Sequence, residues 1–98
     1  MTESKARKEL IRRALEIEPT VHVGKDGVDD ALNNEVVQQL KKKRLIKIRV
    51  LNNAESDTRD VAEEIAAATN SVIVDVRGGV IVLTDKRTWD SQCQKKTA

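Results

Sequence analysis

The sequence predicts an α/β domain of order αβαβαββ, two layers deep, with helices packed on a four-stranded mixed sheet. Three observations carry that expectation. Apolar residues recur at three- and four-residue steps in three stretches, and short β-rich runs follow each of them. A Gly-Gly pair at 78 and 79 separates two of those runs, as a tight hairpin requires. The 98 residues suffice for one core, and the 39% apolar content is almost wholly Val, Ile, Leu and Ala with a single Trp, which gives a folded, aliphatic interior.

The elements follow in order. Ala6, Leu10, Ile11, Ala14 and Ile17 mark an amphipathic helix over 4–17, with Thr2 or Ser4 as cap. Pro19 stops it, because the residue before a proline is steered out of the helical region, and a short strand, Thr20 to Val23, comes next. Val28, Ala31, Leu32, Val36 and Leu40 share the face of a second helix that runs to about Lys43. The run LIKIRVL then alternates, with Ile46, Ile48 and Val50 on one side and Lys47 and Arg49 on the other, as a half-exposed strand does.

After a loop over 52–56, Ser56 or Asp57 caps a third helix whose face is Val61, Ala62, Ile65, Ala66 and Thr69, and Asn70 ends it in a left-handed conformation. SVIVDVR and VIVLT are the hairpin strands. From Asp85 onward the apolar pattern dissolves, so the domain is expected over 1–87 and a polar, mobile tail over 88–98. Two strand–helix–strand units imply right-handed crossovers closed by the antiparallel hairpin. Periodicity alone leaves the docking of the first helix open.

Charge narrows the function. The net charge is only +2, but residues 41–50 carry six bases (Lys41, Lys42, Lys43, Arg44, Lys47, Arg49) and no acid, whereas 51–75 carry six acids against Arg59. Such segregation gives a nearly neutral chain a basic face that suits a polyanion. No apolar run is long enough to span a bilayer, and the charged start has no hydrophobic signal region, so a cytoplasmic protein without membrane association is expected. Cys93 is alone, which leaves neither a disulfide nor a cysteine pair for zinc, and His22 lies between two valines without partners for a metal or catalytic site. No nucleophile, acid and base stand together at any motif spacing, so no enzyme and no cofactor are expected.

One loop proposes a chemistry. In GKDGV, Gly24 and Gly27 remove two side chains, letting a phosphate approach the backbone, while Lys25 adds a charge and the next helix points its positive end there. Asp26, Asp29 and Asp30 crowd the same place and would repel a phosphate, so the spacing alone favours an ordinary Asp-Gly turn with acidic caps. The P-loop pattern is excluded by the spacing.

Three stretches taken together, VHVGKDGV, LIKIRV and RGGVIVLTDKR, resemble the CRM domain family of RNA-binding proteins, in particular its small single-domain members associated with the large ribosomal subunit. The resemblance covers about residues 4–87. It implies a fold similar to the C-terminal domain of translation initiation factor three, and RNA contacts from the G-x-x-G loop (Gly24, Lys25, Asp26, Gly27) with nearby bases, Lys47 and Arg49 among them. Relatives often close the last strand with Tyr-Arg, where this chain has Thr84, Asp85, Lys86 and Arg87.

The resulting expectation is a non-enzymatic RNA-binding domain that meets ribosomal RNA or a pre-ribosomal large-subunit particle through the loop and the bases Lys41, Lys42, Lys43, Arg44, Lys47 and Arg49. With no aromatic residue in any predicted strand, binding should rest on phosphate and shape rather than on stacked bases. Trp89 and the tail bases either meet RNA or pack beside the sheet. The competing expectation is a protein-interaction module whose working face is the acidic third helix (Asp57, Asp60, Glu63, Glu64).

Overall fold

The computed structural model describes residues 2–24, 27–51 and 55–94. Helix α1 (Glu3–Ala14) begins at Thr2, whose hydroxyl accepts the Lys5 N–H at 3.2 Å, and unwinds through residues 15–17 ahead of Pro19. Strand β1 (Val21–Val23) leads through the glycine loop into α2 (Asp30–Lys43). Strand β2 (Leu45–Val50) is followed by α3 (Glu55–Thr69), β3 (Ser71–Arg77), β4 (Val80–Asp85) and α4 (Lys86–Gln94). The α3 helix starts at Glu55; the side chains of Ser56 and Asp57, its expected caps, and residues 52–54 of the preceding loop lie outside the described residues.

The sheet order is β1-β2-β4-β3, with β1 parallel to β2 and β4 antiparallel to both of its neighbours. Gly78 and Gly79 turn the hairpin at φ 54° and 79°, the left-handed geometry that glycine adopts without steric cost. Asn70 ends α3 at φ 53°, as expected.

Two apolar clusters lie on opposite sides of this sheet. Ile46, Ile48, Ile81 and Leu83 project to the side of α2 and α3, where they meet Val36, Leu40, Ala62 and Ile65. Val74 and Val82 project to the other side and pack under Ala6, Leu10 and Ala14 of α1 and Trp89 of α4. The α/β class and the mixed four-stranded sheet are as the sequence predicts, while the layers number three instead of two. The added layer consists of α1 together with α4, which replaces the expected tail over residues 88–94; residues 95–98 lie outside the described part. Trp89 drives that docking: its ring is 9% exposed and carries the Arg7 guanidinium 5.5 Å from its centroid.

Every strand–helix turn places its residues at one of two ends of the sheet. The C-terminal ends of β1 and β2, the N-terminal ends of α2 and α3 and the β3–β4 hairpin share the first end. The C-terminal ends of α2 and α3 and the β4–α4 junction share the other.

Candidate nucleic-acid interface

The glycine loop sits at the first end, anchored to β2 by the Leu51 N–H donating to the Val23 carbonyl at 2.9 Å. Gly27, at φ 74°, donates its N–H to the Gly24 carbonyl at 3.1 Å, so the loop closes on itself as a turn. The Asp29 carboxylate accepts the Leu32 N–H at 2.8 Å and caps α2. Both observations bear on the two readings of the loop. The Gly27 N–H and the Leu32 N–H in the first turn of α2 are therefore already engaged within the chain. Gly24 is exposed, and a Cβ added there would meet nothing within 4 Å. Lys25 and Asp26 lie outside the described residues.

Strand register adds bases to this end. His22 pairs with Arg49, Arg49 with Val80 and Val80 with Arg77, so these four residues form a row across all four strands on the α1 side of the sheet. His22, Arg49 and Arg77 are exposed, because α1 covers the sheet further back, over Val74 and Val82. Lys47 lies one row behind Arg49 and is half-buried beside Ile11, Ala14 and Leu15 of α1 and its following turn. Arg59, in the first turns of α3, and Arg77 border one shallow cleft beside the hairpin. Among the described residues the only ion pairs are those of Glu9 with Arg12 (2.6 Å) and Arg13 (4.0 Å); Arg49, Arg59 and Arg77 make none, although Asp75 lines the same cleft as Lys47 and Arg77.

The sequence-predicted set does not form one patch. Gly24, Gly27, Arg49 and, less openly, Lys47 belong to the first end. Lys41, Lys42, Lys43 and Arg44 belong to the opposite one, since the 14 residues of α2 separate them from the loop by about 20 Å at 1.5 Å per residue. Arg77 is the residue that sequence reasoning missed. Its position beside the Gly-Gly pair identifies a hairpin, but only the β3–β4 register puts it on the same face as Arg49. Trp89 is buried beneath Arg7, so its ring presents no platform for a base. Among the described residues, no group of three or more His, Cys, Asp or Glu side chains could hold a metal ion, and no helix is long and apolar enough to cross a membrane.

The chain is thus a three-layered α/β domain with a glycine turn beside exposed basic residues at one end of its sheet. Residues 2–83 match the CRS1/YhbY (CRM) domain, and the chain belongs to that family. It is similar to the probable RNA-binding protein YqeI of Bacillus subtilis, with 36% identity over 96% of this chain and 98% of the other. A more distant source, Methanocaldococcus jannaschii, has the probable RNA-binding protein MJ0652, 37% identical over 94% of this chain and 70% of that one. The fold superimposes on the solution structure of the hypothetical protein SAV1595 from Staphylococcus aureus with a TM-score of 0.77 and 31% identity, covering 88% and 90% of the two chains.

Proposed function

We propose that this protein is a non-enzymatic, cytoplasmic RNA-binding domain that grips the phosphate backbone at the first end of its sheet, its target being ribosomal RNA or a pre-ribosomal large-subunit particle. The observation that carries the reading is the exposed row of His22 on β1, Arg49 on β2 and Arg77 on β3, opening beside the Gly24–Gly27 turn. A phosphate can approach the turn because two side chains are missing there, and the guanidinium groups supply the bidentate donors that hold it. The family's relatives, named as probable RNA-binding proteins, support RNA as the polyanion. The ribosomal target rests on the resemblance to the family's ribosome-associated members.

Gly24→Glu tests the loop cleanly. The added side chain enters open space, so the fold persists while a carboxylate is set where phosphate would lie. RNA affinity in a filter-binding titration should fall at least about tenfold, comparable with losing one charge-assisted contact and adding a repulsion. Unchanged affinity in a folded variant would remove the loop from the mechanism. For the target, the tagged protein should co-sediment with large-subunit precursors from its own cells in a salt-sensitive and RNase-sensitive manner; absence from every ribosomal fraction would exclude that particle.

A further inference from the structure

The opposite end of the sheet carries more charge than the loop end, together with a cavity. Lys41, Lys42, Lys43 and Arg44 close α2, Lys86 and Arg87 open α4, and among the described residues none of them is ion-paired. Between α1, the start of β2 and the end of α2 lies a cleft of about 760 Å³. Leu10, Ile17 and Leu45 give it an apolar lining, and Arg13, Lys43 and Arg44 stand around it, with Glu18 the one acid of the lining and Glu9 4.0 Å from Arg13. Thr88 borders the same cleft.

Arg44 is the unusual member. It ends α2 at φ 66°, a left-handed conformation that glycine or asparagine adopts at little cost and arginine does not. The comparison lies in the same chain, where α3 ends in that conformation with Asn70. The fold fastens the strained residue, since the buried Thr84 hydroxyl donates to the Arg44 carbonyl at 2.7 Å and the Arg44 N–H donates to the Leu40 carbonyl at 2.9 Å. The side chain so placed borders two clefts, the large one and a smaller one shared with Lys41, Asp85 and Arg87.

The geometry points to a second RNA site, in which one nucleotide sets its base against the aliphatic lining of the large cleft and its phosphate among Arg13, Lys43 and Arg44. The occupant must be apolar on one part and anionic on another. A nucleotide meets both conditions. Because α2 holds this site about 20 Å from the glycine turn, the domain bridges two stretches of RNA, or two turns of one fold, rather than gripping a single stretch. The inference rests on the RNA-binding reading above and extends it to a separate surface.

The test is an amide chemical-shift titration with a uridine trinucleotide, a probe short enough to report each end separately. Two sets of shifts are expected in the wild type, one around Gly24, Gly27 and Arg49 and one around Ile17, Arg44, Leu45 and Thr88. The second set should survive Gly24→Glu and vanish in Arg44→Gly, a substitution that suits the left-handed backbone and keeps the helix cap. Arg44→Gly should also melt a few degrees higher, because glycine adopts the left-handed backbone without the strain that arginine bears there. Arg44→Lys should retain a weakened second set. Shifts confined to the loop end would overturn the second site while leaving the RNA reading intact. No shifts at either end would overturn both. An acidic peptide that moves the cleft residues when the trinucleotide does not would assign the cleft to a protein.

Discussion

At the residue scale, glycines of equal rank in the sequence have unequal roles. Gly79 sits at φ 79°, a Cβ there would touch the Val50 carbonyl oxygen at 3.4 Å, and its own carbonyl accepts the Val50 N–H at 2.8 Å. Gly24 has neither a positive φ nor a neighbour within 4 Å. Gly79→Ala should therefore cost about 1–2 kcal/mol through the left-handed backbone alone, while Gly24→Ala should be neutral within about 0.5 kcal/mol. Urea denaturation of the two variants checks this. If Gly24→Ala destabilised as much as Gly79→Ala, the loop would be a structural turn first, and its effect on RNA would no longer be separable from folding. The glycines at 24 and 27 are legible from sequence as a loop, and those at 78 and 79 as a hairpin. Which of them tolerates a side chain is decided by φ and by neighbours, which composition does not record.

At the scale of elements, α4 was the one concealed. Its inward residues, buried Trp89 and Gln92 and half-buried Cys93, follow the three- and four-residue spacing of a helix face, but the middle one is polar, so a search for apolar periodicity passes over it. Asp85, which accepts the Thr88 N–H at 3.3 Å, reads on its own as part of a charged tail and in the fold as the start of a helix. The docking of α1 was undetermined because periodicity says which side of a helix is apolar and is silent on which sheet face it meets. A partial signal lay in VIVLT: Ile81 to Thr84 are all buried, the continuous pattern of a strand covered on both faces, whereas LIKIRV alternates because the end of β2 is left open on one side. The structural claim is that α1 and α4 form one layer around Trp89. Trp89→Ala should then cost about 3 kcal/mol, in the range for large aromatic deletions from a core, with the loss read as a lower urea midpoint. A loss under about 1 kcal/mol would show that α4 is not docked and would restore the polar tail.

At the scale of the whole molecule, the near balance of charge conceals a segregation that has to be read in three dimensions. Lys41 to Arg49 form one basic run in the sequence, yet α2 ends and β2 begins within it, so its first half stays at one end of the sheet while Arg49 travels along β2 to the other. Asp60, Glu63 and Glu64 are exposed on α3, on the face away from the α1–α4 layer, where they would repel a polyanion and restrict it to the basic ends. This arrangement sets a quantity. Two contacts at the loop end, from Arg49 and Arg77, would give a slope of log affinity against log salt of about −1.4, using about −0.7 per neutralised phosphate of single-stranded RNA. Engaging Arg13, Lys43 and Arg44 as well would bring it to about −3.5, or roughly a hundredfold loss of affinity between 50 and 200 mM salt. A single-stranded RNA long enough to reach both ends should show the steeper value, and the Arg44→Gly variant, which loses the second site, should return to about −1.4. A flat dependence, together with a protein partner retained after nuclease treatment, would transfer the working surface to the acids of α3. In that case the bases at both ends would serve only to keep the domain dispersed in solution.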